Sequence, residues 1–321
     1  MLYVSETSVQ KALDQAGVTA AIQEAFIALA KGEAFNFPIV RERLNYADAI
    51  FGFKAGFDRR APTLSVKAGG LWPGNRAKGL ANHQSTILLF DADTGGPHAL
   101  VCGTYLTALR TAAASALSIR ALARAEAQTL GILGAGGQAL HQIRAALTER
   151  PFGRLLISDS VPENAEALRQ SLKDTGLATA CVTPETLARD SDVLITVTPS
   201  FEPIIEADWV QPGTHIACMG ADTVGKQEVD ATLMTRATLF CDQPDQAAQL
   251  GEIQHAIQRG MVTLDQVTTL GDVLRGAHTG RQSADEITLF DSTGMGLQDL
   301  AAARFALEEA VAQGLAVALD E

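Results

Sequence analysis

Four positively charged residues lie in stretches of sequence that are otherwise typical of buried strands and helices. They are Arg41, Lys54, Lys67 and Arg110, which we call the cationic cluster. A buried ammonium or guanidinium group is costly unless it meets a negative charge, and a guanidinium can hold a carboxylate through two parallel hydrogen bonds. That carboxylate is either internal, with Glu42 and Asp91 as candidates, or part of a substrate.

A histidine, His83, lies just before a strand predicted at residues 86–90. Such a histidine either makes structural hydrogen bonds or points into a cleft, where an imidazole can bind a ligand or exchange a proton. The structural role is the more common of the two, and the position of His83 also allows it to point into a cleft.

A glycine-rich turn predicts a dinucleotide site. The turn is Gly134-Ala135-Gly136-Gly137-Gln138-Ala139. It follows an apolar strand predicted at 129–133 and precedes a helix predicted at 139–148. The first glycine allows a tight turn, the second lets the backbone approach a pyrophosphate, and the small third residue lets helix and strand pack closely. The helix N-terminus then offers free N–H groups to the phosphates. A purely structural turn is the alternative.

The second strand of this unit, predicted at 154–158, is followed by Asp159. An acidic residue about 20 positions after the glycines can accept hydrogen bonds from the adenosine ribose and would repel a 2′-phosphate. Because no arginine immediately follows Asp159, the sequence favours NAD over NADP. The alternative is that Asp159 only caps the next segment.

Two further loops follow strands predicted at 193–197 and 215–219. The first loop contains Thr198, Pro199 and Ser200. The second contains Gly220 and Asp222 and follows Met219, the last residue of its strand. Ligands of open α/β sheets bind at the carboxyl ends of the strands, so both loops are candidates for the cofactor site. Asp222 either faces the nicotinamide and the reacting carbon or makes a local turn bond.

The remaining sequence predicts the elements that position these residues. Helical periodicity covers residues 9–30, 106–122 and 296–318, and short strands lie between 35 and 103. Strands and helices alternate after residue 129, which is typical of a doubly wound parallel sheet. We therefore predict an α/β protein in which a Rossmann domain (119–295) is inserted in a discontinuous α+β domain (1–118 with 296–321).

Composition narrows the function class. The chain has 321 residues, of which 47% are hydrophobic, and a formal net charge of −12 without a basic run. This argues against a nucleic-acid partner, and no apolar stretch suits a membrane span or a signal peptide. The four cysteines are widely spaced, so neither a metal site nor a disulfide framework is expected. We expect a soluble cytoplasmic protein.

Taken together, six blocks of the sequence resemble the ornithine cyclodeaminase/mu-crystallin family. They are FPIVR at 37–41, VKAGGLWPGN at 66–75, LTALRTAA at 106–113, GAGGQA at 134–139, MGAD at 219–222 and STGMGLQDL at 292–300. The resemblance implies a homodimer that acts at the α-carbon of an amino or imino acid. It implies that the discontinuous domain (1–118 with 296–321) serves substrate binding and dimerisation. It also implies that Arg41, Lys67 and Arg110 hold the α-carboxylate, and it adds Thr111 and Gly294 to the cofactor site.

Further blocks are most similar to the family members that reduce iminosuccinate. They are FGFKAGFD at 51–58, NHQST at 82–86, THIACMG at 214–220 and GEIQHAI at 251–257. The resemblance thus implies NADH-dependent reduction of a carboxylate-bearing imine, with L-aspartate as the leading product. Lys54 or His83 would bind the second carboxylate, and Asp222 or Lys67 would supply the proton.

Three alternatives remain within the same resemblance. The first is cyclisation of ornithine to proline with loss of ammonia, although no acidic residue adjoins Lys54 to bind the ornithine ammonium. The second is reduction of a cyclic ketimine or of pyrroline-2-carboxylate. The third is a non-enzymatic, dinucleotide-dependent binding protein of the crystallin type.

Overall fold

The computed structural model describes residues 1–319 and divides into two compact units. Unit 1 contains Met1–Arg110 and the chain from Met295 onward, and unit 2 is Thr111–Gly294. The first boundary falls inside a long helix, and the second lies just before the last helix.

Within residues 1–319 the structure contains sixteen strands and ten α-helices. The strands within residues 1–319 are β1 (Leu2–Val4), β2 (Ala34–Asn36), β3 (Val40–Arg43), β4 (Ile50–Asp58), β5 (Thr63–Leu71), β6 (His83–Asp91), β7 (Pro97–Cys102), β8 (Thr129–Leu133), β9 (Arg154–Ser158), β10 (Ala178–Cys181), β11 (Val193–Thr196), β12 (His215–Cys218), β13 (Ala237–Cys241), β14 (Val267–Thr269), β15 (Ile287–Asp291) and β16 (Val317–Ala318). The helices are α1 (Glu6–Ala12), α2 (Gln15–Ala30), α3 (Thr104–Leu122), α4 (Ala139–Glu149), α5 (Pro162–Ser171), α6 (Pro184–Asp190), α7 (Pro244–Leu250), α8 (Gln254–Gln258), α9 (Leu270–Leu274) and α10 (Gly296–Ala312).

Unit 1 is built on an eight-stranded, mostly antiparallel sheet. Its order is β16-β1-β7-β6-β5-β4-β2, and β3 pairs with β4. The helix predicted within residues 9–30 is interrupted before α2, because the Asp14 side chain accepts a hydrogen bond from Gly17 N at 2.7 Å and caps a new helix. The last helix ends at Ala312 rather than at 318; Gly314 follows with φ +66°, and β16 then pairs with β1.

The register of this sheet places the predicted substrate residues on one face. Lys54 lies opposite Lys67, and Arg41 lies opposite Gly52, which is two residues from Lys54. Since alternate residues of a strand share a face, Arg41, Lys54 and Lys67 project on the same side of the sheet. His83 pairs with Leu71, four residues from Lys67, and so it projects on that side as well.

Helix α10 packs on this same face through two glycines. A Cβ at Gly56 would lie 2.8 Å from Leu297 N and 2.9 Å from Leu297 Cα. A Cβ at Gly296 would overlap the backbone of Ala55. The start of α10 can therefore approach β4 closely only because neither position carries a side chain.

Unit 2 contains a second eight-stranded sheet in which the strand pairs are parallel. Its order is β10-β9-β8-β11-β12-β15-β13-β14. The order reverses between β8 and β11, which is the switch point where Rossmann sheets bind ligands. Strands β8, β9, β11 and β12 lie within one or two residues of their predicted bounds, and the predicted α/β class with a Rossmann sheet is confirmed. No helix within residues 1–319 combines the length and apolar character needed to cross a membrane.

The close contact of β4 with α10 makes a testable prediction about stability. Gly56→Ala introduces a methyl group against the Leu297 backbone, which cannot rotate away, so we expect the free energy of unfolding to fall by about 1–3 kcal/mol. The control is Gly74→Ala, since a Cβ at that exposed position meets nothing within 4 Å. Urea denaturation of the two variants checks the difference. Equal stability would contradict the proposed closeness of the contact.

Candidate active site

The centre of the unit 1 site is a buried carboxylate shared by two cations. Asp299, on the first turn of α10, accepts hydrogen bonds through Oδ1 from Lys67 Nζ at 2.8 Å and from Arg110 Nε at 2.9 Å. Lys67 and Arg110 are each 5% exposed, and Asp299 is fully buried. Because one negative charge faces two positive charges, the group keeps an excess positive charge out of water.

The protonation of this group follows from burial and from the neighbouring charges. Burial disfavours the charged form of Lys67 and lowers its pKa to about 8; Asp299 opposes this change, and Arg110 adds to it. Burial alone would raise the pKa of Asp299, but Arg110 and Lys67 outweigh it, and the pKa of that carboxyl is lowered. At neutral pH, therefore, Asp299 is ionised and Lys67 carries a proton that it can give up.

The guanidinium of Arg110 is fixed in direction by two neighbours on α10. Its Nε contacts Asp299, and its Nη1 donates to Gln298 Oε1 at 2.9 Å. Gln298 Oε1 also accepts from Met295 N at 3.1 Å, so the amide is itself anchored to the helix start. These two contacts fix the orientation of the guanidinium in the site.

His83, Arg41 and Lys54 complete the same neighbourhood. Burial, Lys67 and Arg110 together lower the pKa of His83 to about 3, so the imidazole is neutral at physiological pH. Arg41 is close enough to affect the pKa of both Lys67 and His83, and Lys54 affects that of Asp299. All five residues that the sequence assigned to substrate binding are thus brought together in unit 1.

The internal partner of Lys67 and Arg110 is neither of the two examples named from the sequence. Asp91, one of the two candidates, uses its carboxylate to hold the turn before β7, accepting from Thr94 N at 2.8 Å. The actual partner, Asp299, is 232 positions from Lys67 and 189 from Arg110. In the local sequence, Asp299 is noticeable only as an acidic residue near the start of an apolar helix.

The glycine turn in unit 2 has the geometry of a dinucleotide cradle. Gly134 has φ +98°, a conformation that side chains disfavour, and a Cβ there would lie 2.8 Å from Val197 O. At Gly136 and Gly137, by contrast, a Cβ would meet nothing within 4 Å, so the backbone is open on that side. Gln138 is the N-cap of α4, whose first N–H groups follow the turn. The open backbone at Gly136 and Gly137 and the N–H groups at the start of α4 are suited to binding a pyrophosphate.

Asp159 lies against this turn. Its Oδ2 accepts from Ala135 N at 2.6 Å, and its Oδ1 accepts from Val161 N at 2.8 Å. The carboxylate therefore does cap the next segment, as the alternative interpretation expected, and it is also fixed beside the first residues of the turn. The two interpretations of Asp159 are compatible.

The other predicted cofactor residues lie at strand ends of unit 2 or on α3. Thr198, Pro199 and Ser200 follow β11, and Met219, Gly220 and Asp222 follow β12. Asp222 Oδ1 accepts from Lys226 Nζ at 2.8 Å, and Lys226 also donates to Gly220 O at 3.1 Å. Gly294, with φ +72°, donates its N–H to Asp242 at 2.7 Å. Thr111 is half-buried on α3.

Sequence reasoning missed the buried acidic residues of this unit. Glu228, Glu252 and Asp291 are each fully buried and accept hydrogen bonds from the backbone at the carboxyl edge of the sheet. An acidic residue is ordinarily interpreted as a surface residue, and the sequence around these three gives no contrary pattern.

Known proteins resemble the chain over its full length. Iminosuccinate reductase of Paracoccus denitrificans (strain Pd 1222) is 45% identical over 316 residues, 98% of each protein. The crystal structure of the iminosuccinate reductase of Paracoccus denitrificans in complex with NAD⁺ has a TM-score of 0.95 at 44% identity, covering 100% of this chain and 99% of that one. An archaeal alanine dehydrogenase dimer with bound NAD has a TM-score of 0.94 at 32% identity, covering 100% and 99%.

The resemblance noted in the sequence extends to a family profile. The profile of the ornithine cyclodeaminase/mu-crystallin family matches residues 1–314, which include all six sequence blocks. With a full-length relative at 45% identity as well, the resemblance is confirmed. The chain belongs to the ornithine cyclodeaminase/mu-crystallin family.

Proposed function

We propose that this protein reduces a carboxylate-bearing imine to an L-amino acid with NADH, and that its substrate is iminosuccinate and its product L-aspartate. The observation that carries the proposal is the buried group of Lys67, Asp299 and Arg110, which holds two positive charges against one negative charge. Arg41 and Lys54 add further positive charge around it. A substrate with two carboxylates balances this excess better than a substrate with one.

The α-carboxylate of the imine is held by Arg110, with Lys67 and Arg41 beside it. Asp299 and Gln298 fix the guanidinium through Nε and Nη1, so that its orientation is set before the substrate binds. Such preorganisation places the reacting carbon without a further cost in side-chain entropy.

The proton for the imine nitrogen comes from Lys67. Its pKa of about 8 keeps it protonated at neutral pH while making the proton easier to release than from an exposed lysine. Asp222, whose carboxylate forms an ion pair with Lys226, has a different role in this proposal. It stabilises the positively charged iminium rather than donating a proton.

The second carboxylate is shared between Lys54 and His83. His83 is neutral, so it contributes a hydrogen bond and no charge, while Lys54 supplies the positive charge. This division explains why a histidine is tolerated among so many cations: a neutral ring adds no repulsion.

Unit 2 is proposed to bind the dinucleotide, and unit 1 to bind the imine. The cofactor residues are Thr111, Gly134, Gly136, Gly137, Gln138, Ala139, Asp159, Thr198, Pro199, Ser200, Met219, Gly220, Asp222 and Gly294. NADH, when bound, would supply the hydride that reduces the imine carbon. The Asp159 carboxylate favours NAD(H), since it would repel the 2′-phosphate of NADP(H). The NAD-bound iminosuccinate reductase and alanine dehydrogenase support this assignment.

A homodimer is part of the proposal, and the sheet of unit 1 supports it. The face opposite Lys54 and Lys67 presents half-exposed apolar side chains; Phe35 is 42%, Phe53 44% and Val40 49% exposed. An apolar groove of about 270 Å³, lined by residues that include Leu64, Val66 and Phe90, lies on the same sheet. An apolar surface of this kind is typical of a subunit contact. The related archaeal alanine dehydrogenase is a dimer.

Of the predictions that follow from the proposed function, the first concerns the reaction itself. Oxaloacetate, ammonia and NADH should yield L-aspartate in step with the loss of NADH absorbance. Arg110→Ala should lower kcat/KM by about 10- to 100-fold, because it removes a charged hydrogen-bonding partner of the carboxylate. Arg76→Ala, at an exposed arginine of the same unit, is the control and should leave kcat/KM unchanged.

Other products would contradict this reaction. Formation of proline from ornithine without net consumption of NADH would favour the cyclodeaminase alternative. Binding of NADH without turnover of any imine would favour a binding protein.

The pKa of Lys67 leads to a second prediction. The donor form of Lys67 is lost as the pH rises through about 8, so kcat/KM should fall above that pH. Asp299→Asn removes the carboxylate that stabilises the ammonium, so this decline should begin at a lower pH. Measuring both proteins in the same oxaloacetate–ammonia mixtures cancels the pH dependence of imine formation. Identical profiles would show that Lys67 is not the donor.

The apolar face leads to a third prediction. Phe53→Glu places a charge in the centre of the proposed subunit contact, so we expect the dimer to dissociate into monomers. Val311→Glu alters a side chain that is 52% exposed on α10 and should leave the dimer intact. Sedimentation velocity distinguishes the two outcomes. A dimeric Phe53→Glu protein, or a monomeric unaltered protein, would contradict this assignment of the interface.

A further inference from the structure

A buried glutamate, Glu228, connects the two loops that follow β11 and β12. Its Oε1 accepts from Thr198 N at 2.6 Å. Its Oε2 accepts from Gly220 N at 3.0 Å and from Thr196 Oγ1 at 2.7 Å. The residue is fully buried, so no exposed side of the carboxylate is available to water. A single carboxylate thereby satisfies backbone N–H groups of two separate loops.

The position of Glu228 is itself fixed by the backbone. Its own N–H and that of Val229 both donate to Glu252 Oε1 at 2.8 Å. Its carbonyl oxygen accepts from Ile204 N at 2.8 Å and Ile205 N at 3.1 Å. These hydrogen bonds hold the backbone of Glu228 in place, so its side chain can fix the position of the loops that it contacts.

The fit around the carboxylate is also sterically tight. A Cβ at position 220 would lie 2.6 Å from Glu228 Cδ and would overlap Thr198 O. Glycine at 220 and glutamate at 228 therefore depend on each other. Since β11 and β12 are neighbours in the sheet, with Thr196 opposite Cys218, the carboxylate holds two adjacent strand ends at a set spacing.

We propose that Glu228 is a positioning residue for the cofactor, which it serves by fixing the loops that begin at Thr198 and Gly220. The inference rests on the proposed function, in which these loops bind the dinucleotide at the carboxyl edge of the sheet. Both carboxylate oxygens receive a backbone N–H. An amide cannot replace the carboxylate, because its NH₂ group would face one of those N–H donors.

Glu228→Gln tests the proposal without changing the size of the side chain. We expect the dissociation constant for NADH, measured by fluorescence titration, to rise about ten-fold, the loss typical of one unsatisfied buried donor. We also expect faster deuterium exchange at the amides of Thr198 and Gly220 in the protein without cofactor. With NADH deuterated at C4, the isotope effect on kcat should increase, because a displaced loop slows the chemical step.

Two control variants separate positioning from general stability. Glu252→Gln keeps the oxygen that accepts from Glu228 N and Val229 N, so its NADH affinity should match that of the unaltered protein. Thr196→Val removes a buried hydrogen bond to the same carboxylate but leaves both backbone contacts. It should lower the melting temperature without changing the isotope effect.

The outcomes distinguish this proposal from the proposed function. If the protein binds NADH but reduces no imine, the proposed reaction fails, while a weakened Glu228→Gln variant still supports the role of Glu228. If Glu228→Gln binds NADH as tightly as the unaltered protein, or if Thr196→Val reproduces all of its effects, the positioning role is overturned. If the unaltered protein binds no NADH, both proposals fail.

Discussion

The arrangement of unit 1 depends on one buried carboxylate between two cations. Taking Lys67 and Arg110 out of water is costly, and Asp299 compensates only part of that cost because it carries a single charge. The compensation requires the first turn of α10 to lie against the sheet, which in turn requires glycine at 56 and 296. Helix α10, near the C-terminal end of the chain, thus supplies the carboxylate that partly neutralises Lys67 on β5. The remaining imbalance is what makes the group suited to binding carboxylates.

Buried carboxylates organise unit 2 in a different way. Here they neutralise no cations but accept backbone N–H groups at the ends of parallel strands, where the sheet leaves donors unpaired. Burial raises the pKa of Asp291 to about 8 and that of Glu252 well above its ordinary value. Burial thus disfavours the charged form of both carboxyl groups, in contrast to Asp299, where two cations favour it.

The sequence predicted the parts of this structure that have a local signal. Strands β8 and β9 are short apolar runs bounded by turn residues, and their predicted bounds are those observed. Lys67 and Arg110 stood out because their neighbours are apolar. Asp299 and Glu228 could not be assigned in the same way, since their partners lie on other elements and an isolated acidic residue carries no sign of burial. Strands β13 to β15 were also missed, because a single buried strand is hard to distinguish from other short apolar segments.

Under the proposed function, the same excess of positive charge serves both binding and proton transfer. Without substrate, burial and Arg110 hold the pKa of Lys67 at about 8. A bound carboxylate adds negative charge beside Lys67 and raises that pKa, so substrate binding itself keeps the donor protonated. Lys67 then gives this proton to the imine nitrogen, and the resulting iminium accepts a hydride more readily than the neutral imine. If internal acids neutralised the whole cluster, its positive charge would serve neither substrate binding nor proton transfer. A single shared carboxylate therefore suits this chemistry better than two.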